Sequence, residues 1–567
     1  MKSFKLIVLL LISPLFLLGQ VFPAYYWVHF KNKNNSSYSI SNPSAYLSAR
    51  AITRRSQQGI AIDSTDLPLN AIYVNAVLAT GAVLHSSSKW LNSITVNVSS
   101  DSVLQQIQAL ACVAGTDYTK PGAIPPMRMS ADKGKWNFPT FGSPVVTEHT
   151  GGLEHHPKSS QSVNYGQAYN QVHQINLDAL HDIGLKGDGV IIAVLDGGFL
   201  HADTIAALDS LWLNNQIIAS KDFVAPQHPN IYGSASHGTM VLSIMGANLP
   251  GQMVGTAPRA KYILLRSEDV DTEFKIEEDN WASAAEYADS AGVDVINSSL
   301  GYSVYNDPIM DHPYADMNGN TARCTIAADF AAQKGIVVCI SAGNSGGSAW
   351  QYVSSPADGD SVFTIGAVDD LGIYASFSST GPTADGRLKP NVCAQGQGTI
   401  VASPYGMIYP GNGTSFSSPV IAGATACLRQ AFPSMPNMQL IKAIEQSADH
   451  YNNPDSLYGY GIPNFAIANL ILEASIPPNL DAGLEPRIIP NPATDIVKIS
   501  FSSSDTQDVV ITMLDLQGKQ VMDTQVFPSI SGAQDINLQL PVDLTHGLYF
   551  LRISTAKKTF LKKLVKI

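Results

Sequence analysis

Four polar residues in the middle of the chain have the types that serine-based hydrolysis needs. They are Asp196, His237, Asn344 and Ser415, in that order. A serine hydroxyl is a weak nucleophile at neutral pH and needs a neighbouring imidazole to take its proton. A carboxylate bonded to the other ring nitrogen orients the imidazole, and amide donors stabilise the tetrahedral intermediate. Together the four types predict acyl transfer.

Each of these residues alone also fits an ordinary structural role. Ser415 and Asp196 have the side chains of helix caps, His237 fits a structural polar residue, and Asn344 lies in a Gly-rich turn where Asn is common. However, each stands at the end of a predicted strand or the start of a predicted helix. This joint placement favours catalysis over four unrelated structural roles.

The region from 175 to 472 contains the elements that must position these residues. Short strands that are apolar on both faces alternate there with helical stretches, which predicts an α/β domain with a doubly wound parallel sheet. In such a sheet the working residues lie just beyond the carboxyl ends of the strands. The predicted strands are 189–195, 262–265, 293–297, 335–340 and 362–366, and the helices include 281–291 and 322–333.

The stretch from Gly411 to Pro419 is a small-residue loop that leads into an apolar helix. Its glycines permit a sharp bend, and Pro419 is predicted in the first helical turn, where its missing N–H costs nothing. Ser415 then stands near a helix N-terminus, where unpaired N–H groups and the helix dipole favour developing negative charge.

The residues around these positions resemble the subtilisin-like serine peptidases, over roughly residues 175–472. The order Asp, His, Ser is that of this family rather than of chymotrypsin or the α/β-hydrolases. The resemblance implies a catalytic triad of Asp196, His237 and Ser415, with Asn344 as the oxyanion donor. The matching stretches are Val194-Leu195-Asp196-Gly197-Gly198, His237-Gly238-Thr239, Ser341-Ala342-Gly343-Asn344, Gly413-Thr414-Ser415-Phe416-Ser417-Ser418-Pro419 and Tyr458-Gly459-Tyr460-Gly461.

The resemblance also implies two backbone edges that pair with an extended peptide substrate. The segments are Ser299-Leu300-Gly301 and Ser341-Ala342-Gly343. The chain departs from the family's usual residues at three positions. Gly197 stands where Thr or Ser is usual, Met240 where a second His is common, and Phe416 where Met is common. None of these removes a catalytic group, but they leave pocket shape and the P1 preference open.

The triad chemistry requires no cofactor. Members of the family often bind calcium for stability, but no ligand cluster in the sequence is assignable to it, so metal ligands stay unknown. Five cysteines are scattered without metal-type spacing, and most are expected to be small buried residues. A Cys324–Cys339 disulfide stays an open alternative. The cysteines are Cys112, Cys324, Cys339, Cys393 and Cys427.

Residues 1–24 are typical of a secretory signal peptide, with a charged start and an apolar run from Leu6 to Leu18. Residues 25–120 are predicted to form a small α+β unit similar in position and pattern to the family's propeptides, which implies an intramolecular inhibitor and folding aid. Residues 121–174, rich in Pro, Gly and Ser, are predicted as a linker or processing region. The pair Arg54-Arg55 invites a dibasic-cleavage interpretation, but a solvated helix face is favoured.

A boundary at 473–487, marked by Pro477-Pro478, precedes a β-rich unit at 488–567 that is predicted as a sandwich. This unit resembles the sorting domain of the type IX secretion pathway, which implies export across a Gram-negative outer membrane and removal of the domain on the way. The alternative is a retained carbohydrate- or surface-binding sandwich. The matching stretches are Pro490-Asn491-Pro492-Ala493-Thr494-Asp495, Leu514-Asp515-Leu516-Gln517-Gly518-Lys519, Gly547-Leu548-Tyr549-Phe550-Leu551-Arg552 and Lys562-Lys563-Leu564-Val565-Lys566.

Composition and motifs together favour a secreted serine endopeptidase made as a zymogen. The net charge of −12 gives no reason to expect nucleic acid or an anionic membrane as partner, and no stretch after the signal is apolar enough for a transmembrane anchor. One alternative is a catalytically silent surface or adhesion protein on a peptidase fold. An esterase or lipase is disfavoured, because the Ser415 loop lacks the second Gly of a nucleophile elbow and the base precedes the serine.

Overall fold

The computed structural model describes residues 22–122, 163–475, 486–556 and 559–566. Residues 1–21 of the predicted signal peptide, most of the 121–174 region and much of the 473–487 linker therefore lie outside the described residues, whereas Ala24, the last residue assigned to the signal peptide, already belongs to the first strand. The described residues form three units that follow one another along the chain.

The N-terminal unit is an antiparallel four-stranded sheet with helices packed on it, in the strand order β2-β3-β1-β4. Alternate residues of β1 are buried, as expected for a sheet with one covered face. Its elements are β1 (Ala24–Phe30), α1 (Ala49–Gln58), α2 (Ala71–Leu78), β2 (Val83–Ser88), β3 (Ser93–Val98), α3 (Asp101–Gln108) and β4 (Val113–Pro121).

The central unit is a seven-stranded sheet in the order β13-β12-β11-β10-β5-β9-β6, and every pair in it is parallel. This confirms the predicted doubly wound α/β fold. Its strands are β5 (Ile191–Asp196), β6 (Ile217–Asp222), β9 (Lys261–Arg266), β10 (Val295–Ser298), β11 (Val337–Ser341), β12 (Phe363–Val368) and β13 (Val392–Gln395). Two hairpins lie outside the sheet, formed by β7 (Asn248–Leu249) with β8 (Met253–Val254) and by β14 (Gln397–Ala402) with β15 (Ile408–Asn412).

Helices cover both faces of this sheet. Along β5, Ile192 and Val194 belong to one hydrophobic core, whereas Ile191, Ala193 and Leu195 belong to the other. The helices are α4 (Tyr169–His173), α5 (Asp178–Asp182), α6 (Asp209–Leu213), α7 (His237–Gly246), α8 (Ile276–Ala291), α9 (Arg323–Gln333), α10 (Thr414–Ala431), α11 (Asn437–Gln446) and α12 (Phe465–Ser475). Helices α7 and α10 contribute to the first core, and α8 and α9 to the second.

The N-terminal unit docks on α8 through ion pairs that the sequence did not predict. Arg54 and Arg55 are 4% and 1% exposed, so the predicted solvated helix face is wrong. Both guanidinium groups bind Asp289 of α8, at 2.6 and 2.7 Å, and Arg55 also binds Asp66 at 2.6 Å. Burial alone would raise the pKa of Asp289, but Lys89, Arg54 and Arg55 outweigh it and bring that pKa to about 2.

The C-terminal unit is all-β, as predicted, and its strands pair antiparallel around a separate apolar core. Its strands are β16 (Arg487–Ile489), β17 (Ile496–Leu514), β18 (Gln520–Gln539), β19 (Gly547–Ser554) and β20 (Thr559–Lys566). The register of the long β17–β18 pair shifts at several points, where bulges let the hairpin bend.

All five cysteines are free thiols, and four of them are buried, so the Cys324–Cys339 disulfide does not form. Within the described ranges, no helix has the length and apolar character needed to cross a bilayer.

Candidate active site

Three neighbouring parallel strands deliver the predicted site residues to one edge of the central sheet. Asp196 is the last residue of β5, Ser299 follows β10 directly, and Asn344 lies three residues beyond β11. The chain passes from β5 to β6 and β9 on one side before returning to β10 on the other. The edge between β5 and β10 is therefore a switch point of the sheet, the position at which such folds bind ligands.

Asp196 and His237 form a buried hydrogen-bonded pair. His237 is the first residue of α7, and its Nδ1 lies 2.9 and 3.0 Å from the two carboxylate oxygens of Asp196. The two residues are 0% and 3% exposed, and the Gly197 N–H donates to Asp196 Oδ1 at 2.8 Å. A carboxylate placed in this way orients the imidazole and assigns the Nδ1 proton, which leaves Nε2 for proton transfer.

Ser415 lies in the first turn of α10, as predicted, but Pro419 does not. Pro419 is inside the helix, four residues after Ser415. Because proline has no N–H, the helix cannot donate to the Ser415 carbonyl. The Ser299 hydroxyl donates to that carbonyl instead, at 2.9 Å, and the Ser415 hydroxyl makes a long 3.4 Å bond to the Ser299 carbonyl. The proline thus ties the start of α10 to the end of β10.

Asn344 is oriented by Thr414, the residue before the serine. Its Oδ1 accepts from the Thr414 N–H at 2.9 Å and from the Thr414 hydroxyl at 3.0 Å. The same hydroxyl accepts from the Gly343 N–H at 3.1 Å. Since Oδ1 is occupied, the hydrogen-bond network assigns Nδ2 as the end of Asn344 that is available to donate.

Two donors border a small space beside Gly413. This residue has φ of +150°, and a Cβ on it would stand 3.7 Å from both Asn344 Nδ2 and the Ser415 backbone nitrogen. Glycine adopts this backbone conformation readily and keeps the space open. A side-chain amide and a main-chain N–H are donors of the kind that an oxyanion needs.

The two segments predicted to bind substrate leave adjacent strands of the sheet. Residues 299–301 continue β10 and residues 341–343 end and follow β11, and these strands pair directly. The Ser354 hydroxyl lies between them, 2.5 Å from where a Cβ on Gly301 would stand and 3.5 Å from the equivalent point on Gly343. Both segments are thus brought to the rim that carries Ser415.

The structure shows what surrounds each of the three residues that depart from the family's usual pattern. A Cβ on Gly197 would lie 2.5 Å from Val270 Cγ1, so a larger side chain would clash there. The Met240 sulfur accepts a 3.1 Å hydrogen bond from the Tyr409 hydroxyl. The Phe416 ring stacks on the His237 imidazole, with centroids 5.8 Å apart and planes inclined by 24°.

Among the described residues, one group of carboxylates has the arrangement of a cation site. The oxygens of Glu268, Glu273 and Glu277 lie within 4.8 Å of one another, and the Tyr302 hydroxyl donates to Glu268 at 3.0 Å. Carboxylate oxygens are ligands that Ca²⁺ prefers, so the donor set fits the calcium that the family resemblance implies. The three glutamates come after β9, and their common surroundings were not evident from the sequence.

Sequence reasoning missed three contacts in this site. Thr414 orients Asn344, the Ser299 hydroxyl replaces the helix donor that Pro419 lacks, and Phe416 covers the imidazole. Of the three, only the Ser299 contact had a sequence signal, which is the spacing from Ser415 to Pro419. A proline four residues after a helical residue always removes the backbone N–H that would donate to that residue's carbonyl.

Three family models match the chain, one for each unit. Residues 25–134 match the peptidase S8 propeptide domain of Bacteroidota, 187–461 the subtilase family, and 487–567 a secretion system C-terminal sorting domain. These matches confirm the resemblances stated from the sequence.

Curated relatives align with the central region. Subtilisin E of Bacillus subtilis is 33% identical over 54% of this chain and 72% of its own length. Subtilisin of Bacillus pumilus is 32% identical over 54% of this chain and 99% of its own. Serine protease AprX of Bacillus subtilis is 30% identical over 49% of this chain and 66% of its own.

The fold, the paired carboxylate and imidazole, and these matches define a serine-type endopeptidase. The chain belongs to the subtilase family, with a family propeptide domain before the peptidase unit and a sorting domain after it.

Proposed function

We propose that the chain is a zymogen that hydrolyses peptide bonds through a triad of Ser415, His237 and Asp196. The observation that carries the proposal is the bond from His237 Nδ1 to the buried Asp196 carboxylate, at the same sheet edge as the first turn of α10. Ser415 attacks the carbonyl carbon and gives its proton to His237, which later protonates the leaving amine. Water then releases the acyl group by the same route.

The oxyanion of each tetrahedral intermediate is placed in the space beside Gly413. The donors are Asn344 Nδ2 and the Ser415 N–H, both bordering that space. Segments 299–301 and 341–343 bind the substrate as an added strand, with the P1 side chain between them near Ser354. This chemistry uses side chains and main-chain donors alone and needs no cofactor.

The flanking units give the proposed life cycle. The propeptide domain inhibits the peptidase within the same chain until the linker after residue 122 is cut. The sorting domain directs export by the type IX machinery across the outer membrane of a Gram-negative cell, to the surface or the medium. The match of residues 487–567 to the secretion sorting family supports this route.

The experiment is casein hydrolysis by purified protein, with and without a serine-directed phosphonate. We expect S415A to lose activity about a million-fold in kcat and N344A about a hundred- to thousand-fold, magnitudes established on subtilisin, a relative of this chain. S415A should also accumulate the unprocessed form if maturation is autocatalytic. Proteolysis by S415A at the wild-type rate would refute the triad, and no proteolysis by the processed wild-type protein would favour the catalytically silent alternative.

A further inference from the structure

The residue after the proposed nucleophile contacts the proposed base. Phe416 follows Ser415 on α10, and its ring lies against the His237 imidazole in an offset stack, 5.8 Å between centroids. Both rings are buried, at 6% and 3% exposure. Rings at this separation and inclination attract each other beyond the effect of burial alone.

We propose that Phe416 is a positioning residue that holds His237 in the orientation needed for proton transfer with Ser415. The bonds to Asp196 hold the Nδ1 edge of the imidazole, and the inclination of the ring about that edge depends on what lies against its faces. A flat aromatic face in contact with the imidazole limits this tilt. The inference rests on the proposed function, because it requires His237 to be the base.

The Phe416 ring is itself held by the start of α10. The main-chain N–H of Phe416 donates to the Gly413 carbonyl at 3.0 Å. A Cβ on Gly411 would lie 2.6 Å from Phe416 Cε2, so the ring packs directly on the backbone of the preceding loop. Since Ser415 and Phe416 are consecutive, one helix turn sets both the hydroxyl and the surface on which the imidazole rests.

The stack also suits the charge that develops during the reaction. His237 becomes an imidazolium when it takes the serine proton. The face of an aromatic ring is electron-rich and attracts a cation placed over it, more strongly when water is excluded. A thioether or aliphatic side chain at this position offers no such face. Phe416 therefore stabilises the imidazolium that develops on His237 in the transition state.

The test compares F416L and F416Y with F432L as control. Phe432 has the same exposure of 6%, caps the other end of α10 and belongs to the same core. For F416L we expect kcat on a peptide amide to fall about ten-fold with KM within about two-fold, because misplaced catalytic groups cost rate rather than binding. F416Y keeps the flat ring and should stay within about three-fold of wild type. F432L should lower Tm and leave kcat unchanged.

The outcomes separate the inference from the proposed function. Wild-type kcat in F416L, equal losses in F416L and F432L, or an F416Y as slow as F416L would each overturn the positioning role while S415A remains inactive. Activity retained in S415A would instead overturn the proposed triad. If F416L does not fold, F416M takes its place with the same expectations, since Met fills a similar volume without a planar face.

Discussion

At the residue scale, the site depends on a proline that removes one backbone hydrogen bond from its own helix. Pro419 lacks the N–H that would donate to the Ser415 carbonyl, and the Ser299 hydroxyl donates to that carbonyl instead, at 2.9 Å. A second tie runs beside it, where the Ser418 hydroxyl donates to Asn297 at 2.9 Å. Ser415 is therefore fixed to the end of β10, and so to the segment proposed to bind substrate.

S299A should destabilise the protein by about 1–3 kcal/mol, because it leaves a buried carbonyl without its donor. P419A in the S299A background should recover part of the loss, since alanine restores the helical N–H. Denaturant unfolding in the S415A background, which prevents self-digestion, measures both. The control is S417A, whose hydroxyl bonds only within its own helix turn, to Thr414 at 3.1 Å. No recovery by P419A would contradict this account.

The candidate site residues could be proposed from the sequence because their types and order reflect the chemistry itself. Their neighbours were not. Which side chain covers His237, or which hydroxyl reaches the Ser415 carbonyl, depends on loops far apart in the sequence whose approach no local pattern encodes. Pro419 illustrates the limit, since placing it in the first turn satisfied local rules and missed the tertiary donor.

At the element scale, α8 of the peptidase unit contacts the propeptide domain along one face. The propeptide side of α8 carries Asp279, Glu286 and Asp289, spaced so that they share a face. Asp279 accepts from the Thr95 hydroxyl at 2.8 Å, and Glu286 accepts from the backbone N–H groups of Lys89 and Trp90. Acidic residues on a peptidase helix thus bind the donors of the propeptide.

R55A should weaken this contact by about 3–5 kcal/mol, because it removes one of the cations that compensate the fully buried Asp289. R50A is the matched control. Its side chain is 42% exposed in the pair with Asp294, so its loss should cost about 1 kcal/mol or less. Unfolding of the S415A zymogen compares the two. Equal losses would show that burial of the Arg55 pair does not set its strength.

At the scale of the whole molecule, the described residues form four hydrophobic cores, one in each flanking unit and one on each face of the central sheet. The α/β class and the all-β tail followed from strand and helix periodicity, but the sheet order did not, because sequence spacing is silent on which parallel strands become neighbours. The same gap explains the error at Arg54 and Arg55. Their partner Asp289 lies more than two hundred residues further along the chain.

Deleting residues 486–567 should leave the peptidase stable but retain it inside the cell. The C-terminal core is formed by its own strands, so its loss removes no part of the sheet that carries the site. Cell fractionation and the Tm of the truncated S415A protein measure the two effects. As a control, residues 486–567 fused to an unrelated periplasmic protein should carry it out. Normal export of the truncated chain would contradict a sorting role.

The ion pairs around Asp289 have a consequence for when inhibition ends. While the chain is intact, the propeptide domain binds α8 of the peptidase unit at the high effective concentration that a covalent linker provides. After a cut between residues 122 and 163, the same contacts must hold between two separate molecules. The bound fraction then depends on the concentration of the two molecules. Release from a crowded compartment into open medium lowers that concentration and so favours dissociation. In the proposed life cycle, dilution on leaving the cell therefore sets when the propeptide dissociates.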